Sequence, residues 1–253
     1  MAEAAFDAYI AAFDRRVRTT GSDGIAIDHP GLVGDLRAAD ERLRLLVTDD
    51  RALERLASLV GDAQRVLITV LPAAVQVGKF LDGERRWSAK RLTAMVCDDL
   101  ATVPPLTLPA GLAVAEIAIG PGPRRDRVDL VAATTVAAGA DPAAAGVSPA
   151  QLAADLRAMR PAPGLFAAVD VGGAVQATGG FRVSASDAGI FFVNTQRGWR
   201  RRGVGRAMTA TALHRARRQG AVRACLDASD AGVSIYRSLG FTTAGPVSQF
   251  LTR

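Results

Sequence analysis

The chain has 253 residues, 49% hydrophobic and 22% charged, a composition that reads as soluble and globular, with one large domain or two modest ones. Its longest apolar run, "VLITVLPAAVQVG" from Val66, is too short to span a bilayer and contains Pro72. Two cysteines, Cys97 and Cys225, make no disulfide framework, and the acid-bearing N-terminus is unlike a signal peptide, so a cytoplasmic protein is expected. The net charge of +6 is uneven: residues 1–105 hold 14 basic and 16 acidic side chains, and the remainder holds 17 and nine. Eight arginines and no acid lie between Gln196 and Arg218, a local field suited to a local anion more than to a long polyanion.

In chain order, "AEAAFDAYIAAFDRRV" has the spacing of an amphipathic helix, and "GLVGDLRAADERLRLLV" and "DRALERLASLV" predict two more. "RVLITVLP" predicts a buried strand, and "AKRLTAMVCDDL" is compatible with either state. "TVPPLTLPAG", Thr102 to Gly111, is the candidate linker, because its three prolines disfavour helix and remove backbone donors. Two domains are therefore expected, 1–105 and 106–253. After the linker, "LAVAEIAI" predicts a strand and "RVDLVAATTVAAG" a helix. "SPAQLAADLRAMR" predicts another helix, with Ser148 as N-cap before Pro149. "GLFAAVDV", "AVQATGGFRV" and "AGIFFVNT" are three strands joined by "GG" and "SASD", hence an antiparallel meander. A helix from Val204 to Gln219, a strand "AVRACLDAS", a short helix "AGVSIYRSL" ending at Gly240 and a final strand "VSQFLTR" complete the chain.

The stretch "TQRGWRRRGVGRAM", Thr195 to Met208, thus stands between a strand and a helix. First-turn N–H groups lack intrahelical partners there, and the helix macrodipole favours an anion. Gly203 and Gly205 let the backbone approach a phosphate, and arginines add charge-assisted hydrogen bonds at the rim. The pattern predicts a pyrophosphate pocket, yet neither the G-x-G-x-x-G fingerprint nor a loop ending in Gly-Lys-Ser/Thr is present.

Here the sequence resembles the GCN5-related N-acetyltransferase (GNAT) family, whose loop Arg/Gln-x-x-Gly-x-Gly/Ala reads Arg200-Arg201-Arg202-Gly203-Val204-Gly205 in this chain. "SIYRSLGF" supplies the tyrosine shortly before Gly-Phe, with Tyr236, Gly240 and Phe241, and "FFVNT" looks like the family's fourth strand. The resemblance covers roughly Leu112 to Arg253. It implies an α/β fold with a mixed, mostly antiparallel central sheet flanked by helices, beside a smaller mixed N-terminal domain. In the family such an extra half is often a degenerate copy of the same fold. It also implies acetyl transfer from acetyl-CoA to an amine, without metal. Arg201, Arg202, Gly203, Val204, Gly205 and Arg206 match the pyrophosphate loop. Val193, Asn194 and Thr195 match the strand whose backbone pairs with pantetheine and faces the acetyl carbonyl. Ser229 stands where the family often has an asparagine at the cofactor, and Tyr236 matches the general acid.

That chemistry is coherent: a neutral amine attacks the thioester, a backbone N–H stabilises the oxyanion, and a tyrosine hydroxyl protonates the thiolate. The bland alternatives are an ordinary arginine-rich helix start, a packing tyrosine, and a Ser229 that only caps a helix. The family's common glutamate on the fifth strand is replaced by Ala224, leaving Asp227, Asp187 or water as candidate bases. His29 and His214 have no metal-ligand partner at useful spacing. The expected acceptor is a small-molecule or peptide amine, with a homodimer allowed and neither membrane nor nucleic acid expected. The competing function is a CoA-binding regulatory or sensing module without turnover.

Overall fold

The computed structural model describes residues 2–18, 24–37, 42–60, 65–117, 129, 131–132, 134–135, 148–158 and 163–252. An eleven-stranded sheet runs through them in the order β1-β2-β3-β4-β11-β5-β10-β9-β8-β7-β6. The strands of the first half are β1 (Gly24–His29), β2 (Leu32–Arg37), β3 (Arg42–Val47), β4 (Arg65–Val70) and β5 (Trp87–Cys97). Those of the second half are β6 (Leu112–Ile117), β7 (Gly164–Asp170), β8 (Val175–Ser184), β9 (Asp187–Thr195), β10 (Arg223–Ala228) and β11 (Thr242–Thr252). The helices are α1 (Ala2–Arg18), α2 (Leu53–Val60), α3 (Val75–Asp82), α4 (Pro149–Ala158), α5 (Val204–Arg218) and α6 (Asp230–Arg237). The described positions between 129 and 135 are also helical. Among the described residues no helix is long and apolar enough to cross a membrane.

The helix expected over residues 31–47 is instead the β2–β3 hairpin, paired from Leu32↔Val47 to Arg37↔Arg42. Arg42-Leu43-Arg44-Leu45 alternates with period two, and Leu43, Leu45, Leu46 and Val47 are all at most 1% exposed because β3 is covered on both faces. The ambiguous segment around residue 95 is β5, at the centre of the sheet. Its Met95 and Cys97 pack into one core cluster while Leu92, Ala94 and Val96 pack into another, so both faces are buried and neither period stands out. The helix α3 and the strand β1 had no clear signal in the sequence.

Other local readings match the structure. Ser148 Oγ accepts from the Gln151 N–H at 3.1 Å and caps α4. Gly240 takes φ +90° just beyond α6, and the Phe241 N–H closes on the Tyr236 carbonyl at 3.1 Å.

β5 pairs with β11 along one edge and with β10 along the other, both antiparallel. β11 in turn pairs with β4. The segments before and after the 103–109 connection therefore share one continuous sheet. Each has a parallel strand pair bridged by a helix: β3–α2–β4 before the connection, β9–α5–β10 after it. In each, a further helix and a long strand follow, α3–β5 and α6–β11, and those two long strands exchange places at the centre.

One face of the sheet carries α5, through its Met208 and Leu213, and α6 over Met95, Phe166, Phe181 and Leu226. The other carries α1 over Leu46, Leu92, Val96, Cys225 and Val247, and α4 over Leu165, Ala167 and Phe192. This layering leaves the β9–β10 junction between two helical layers.

Candidate active site

β9 and β10 run parallel but share only three rungs, Arg223↔Asp187, Ala224↔Ala188 and Cys225↔Gly189. Beyond Cys225 and Gly189 the strands part, and residues 190–195 and 226–228 line the two sides of the opening. A bulge drives β9 away. Phe192 holds a left-handed φ of +53° although it is not glycine, and the β8–β9 register shifts between Thr178 and Gly180. Such a backbone conformation costs on the order of 1–3 kcal/mol and persists where the surroundings impose it. Here Thr178 Oγ1 donates to the Phe192 carbonyl at 2.8 Å, and the Phe192 ring is buried beneath α4.

The loop after β9 leads to the same opening. A 3-10 turn over Arg197–Trp199 follows, and Arg200 Nε returns to the Thr195 carbonyl at 3.0 Å. Arg201 and Gly203 both take left-handed φ, +63° and +80°. Gly203 is the N-cap of α5 and supplies no side chain to cap it, so the first-turn N–H groups keep their capacity for an anion. A Cβ at Gly203 would meet nothing within 4 Å, so the approach to that helix end is open. Arg201, Arg202 and Arg206 are exposed around it, and Val204 is buried as the anchor of the first turn. The Arg202 guanidinium lies 5.1 Å from the centre of the Trp199 ring, which holds it beside the loop.

The third wall is α6. A Cβ at Gly205 would stand 3.6 Å from Thr195 Oγ1 and 3.8 Å from Ile235 Cδ1, so the end of β9, the start of α5 and α6 converge. Arg206 Nη2 reaches the Ser238 carbonyl at 3.4 Å. Ser229 stands at the end of β10 and is the N-cap of α6, but its hydroxyl makes no capping hydrogen bond. Tyr236 is half-buried on α6 against the cluster that includes Val193 and Val204, with its ring edge-on to Phe241 at 5.9 Å. A Cβ at Gly232 would stand 2.8 Å from Tyr236 Cε2, so that glycine makes room for the ring. The structure thus gathers Val193, Asn194, Thr195, the 201–206 loop, Ser229 and Tyr236 around one opening.

Asp187 is fully buried and bound to Arg223 Nε at 2.7 Å, at the closed end of the strand pair, remote from the opening. Ala224 is likewise enclosed by the rungs to Ala188 and Cys97. The Asp227 carboxylate, a candidate base by sequence, accepts from the Tyr9 hydroxyl of α1 at 2.8 Å and from Gln249 Nε2 of β11 at 2.7 Å. His214 Nε2 lies 3.2 Å from the Pro104 carbonyl, and exposed His29 is the last residue of β1, paired with Leu32. Burial pushes the Cys97 thiol up to about 11.

Sequence reasoning missed the side chain of Asn194. It is 3% exposed, and its Nδ2 has no hydrogen-bond partner. A buried amide N–H left without an acceptor costs about 1–3 kcal/mol. The uncapped helix end and the arginine rim in front of the parted strands fit a long anionic ligand laid between β9 and β10.

Residues 151–250 match a family model described as an acetyltransferase (GNAT) domain. No curated protein sequence matches the chain significantly. Among solved structures, the chain is similar to a GCN5-related N-acetyltransferase from Kribbella flavida, at 20% identity and TM-score 0.64, covering 96% of this chain and 95% of that one. It is similar to a putative GNAT-family acetyltransferase from Novosphingobium aromaticivorans, at 19% identity and TM-score 0.58, covering 95% and 97%. It is also similar to a tandem GNAT protein from the clavulanic acid biosynthesis pathway, at 14% identity and TM-score 0.56, covering 95% and 86%. Residues 151–250, the segment that builds the opening, thus match the GNAT acetyltransferase domain family, and the chain shares the fold of these GNAT structures.

Proposed function

We propose that the chain transfers an acetyl group from acetyl-CoA to an amine by direct attack, both substrates being bound together. The observation that carries this reading is the parting of β9 and β10 after the Cys225↔Gly189 rung, in front of an uncapped helix N-terminus. In this reading the backbone of Arg201 to Arg206 and the arginine side chains hold the pyrophosphate. The backbone of Val193 to Thr195, released from pairing with β10, holds the pantetheine arm and the acyl oxygen. The thioester supplies an activated acyl group with a good leaving thiolate. Tyr236 delivers a proton from its hydroxyl to that leaving sulfur. Ser229, its hydroxyl unused in capping, lines the cofactor side. The buried thiols of Cys97 and Cys225, not joined in a disulfide, fit a reducing, cytoplasmic setting.

Residues 1–105 are, in this reading, a degenerate GNAT-like half. The repeated order of strand, helix, parallel strand, helix and long strand supports it, as does the likeness to the tandem GNAT protein. Its counterpart of the phosphate loop carries Asp49 and Asp50 ahead of α2, where the second half carries arginines. Asp50 Oδ1 instead accepts from the N–H groups of Gln76 and Val77. The half therefore serves the fold and the acceptor side, not a second cofactor.

One observation favours the reading without turnover: Ala224 stands where the resemblance sets a glutamate, and it is walled in by neighbouring strands. Calorimetry with acetyl-CoA, followed by thiol release over a panel of primary amines, separates the two. Binding together with amine-dependent thiol release supports transfer. Binding with no amine-dependent release supports a sensing module.

A further inference from the structure

Asn194 pairs across the sheet with Thr178, and cross-strand partners share a face. Thr178 Oγ1 lies 3.5 Å from Thr135 Oγ1, in the helical stretch on the face opposite α5. Val193, the residue before, packs into the α5 cluster. The Asn194 carboxamide therefore belongs to the far side of the opening, away from α5 and its phosphate-holding helix end. Its neighbour across the gap is β10, whose Asp227 is fastened on that same side by Tyr9 and Gln249. So the side facing α1 carries polar groups on both lips of the opening, and on β9 the donor is unused.

We propose that Asn194 is a specificity-determining residue that donates from Nδ2 to an oxygen of the acceptor, so the acceptor is an amine bearing a hydrogen-bond-accepting oxygen close to its nitrogen. Amino-acid amides, peptide N-termini and amino sugars have that chemistry, and simple alkylamines do not. This rests on the transfer reading above. A ligand oxygen that reaches this buried, unpaired donor gains a hydrogen bond whose desolvation cost the free protein already carries, and a ligand without that oxygen gains nothing there. Asp227 on the opposite lip is a positioning group for the wall, held by α1 and β11. Through Tyr9 the N-terminal helix thus bears on the acceptor side.

The test compares glycinamide, glucosamine and n-butylamine as acceptors for wild type, Asn194→Leu and Asn194→Asp. Thiol release gives kcat/KM for each amine, and calorimetry in the presence of CoA gives amine affinity independently of turnover. Wild type is expected to favour at least one of the two oxygen-bearing amines over n-butylamine by about tenfold or more. Asn194→Leu, which keeps the bulk and removes the donor, is expected to level that ranking in a variant whose circular dichroism matches wild type. Asn194→Asp, which turns the donor into an acceptor, is expected to lose the preference as well, and it covers the case of a Leu variant that fails to fold. An unchanged ranking in a folded variant overturns the inference. So does a wild type that binds acetyl-CoA yet neither binds nor acetylates the oxygen-bearing amines better than n-butylamine. A wild type that fails to bind acetyl-CoA marks instead the failure of the transfer reading, and the inference falls with it.

Discussion

Cys225 on β10 stands opposite Gly189 on β9 at the last rung these two parallel strands share. Everything proposed for the site lies beyond that rung. Of the residues next to the opening, Phe192 pays in backbone strain for keeping β9 apart from β10, and Gly203 leaves the end of α5 uncapped.

Gly203→Asp is expected to abolish acetyl-CoA binding. The substitution puts a β-carbon on a residue with φ +80° and a carboxylate at the helix end where a phosphate is to be held. Calorimetry reads the binding, and circular dichroism reads the fold, which the exposed position should spare. Undiminished affinity in the folded variant removes the phosphate-loop assignment.

Tyr236→Phe keeps the ring that packs edge-on to Phe241 and removes the hydroxyl. General acid catalysis contributes about 10²–10⁴-fold, so a fall of that order in single-turnover rate is expected, with acetyl-CoA affinity nearly unchanged. Full turnover in this variant assigns the proton to water or another group.

Calorimetric titration with CoA is expected to give one site per chain. The loop before α2 carries Asp49 and Asp50, and Arg51 is already engaged by the Asp49 carboxylate at 2.7 Å. That bond, foremost, holds the Asp49 carboxyl down at about 2, so both the ion pair and the negative charge persist through the neutral range and fade only as pH falls toward that value. A stoichiometry of two means that the acidic loop does not exclude the cofactor.

A fragment of residues 106–253 is expected not to fold alone. It lacks β5, the strand between β10 and β11, and with it Met95 and Cys97 of the core beneath α5. Losing one buried large side chain costs about 2–5 kcal/mol, comparable with much of a domain's stability. Coexpression with residues 1–105 should restore a soluble, CoA-binding assembly. A cooperative thermal transition in the isolated fragment contradicts this.

Cys97 is expected to resist alkylation in the native protein. With its thiol pushed up to about 11 by burial, the proton is retained until the pH climbs to that value. At pH 8 the thiolate fraction is then on the order of 10⁻³, against roughly a quarter for a free cysteine of pKa about 8.5. Iodoacetamide labelling followed by mass spectrometry, with and without denaturant, measures the difference.

The local chemistry was legible in the chain because it depends on neighbours in sequence. Glycine at 203, the arginines beside it and a following helix make an anion site from a few consecutive residues. Ser148 capping α4 and Gly240 ending α6 are likewise matters of one turn of backbone. From such signals the sequence alone determined the loop, the tyrosine, the meander and the family resemblance. Where a segment is buried on both faces, as in β5, its hydrophobic period is blurred and the sequence underdetermines its state. Only the tertiary structure decided that β5 and β11 trade places at the centre of one sheet. The same holds for the bulge at Phe192 that opens the slot, and for Tyr9 meeting Asp227 across 218 positions. Those outcomes are set by pairing and packing between distant segments, whose free energies exist only once the chain has closed on itself, so no local pattern in the sequence records them.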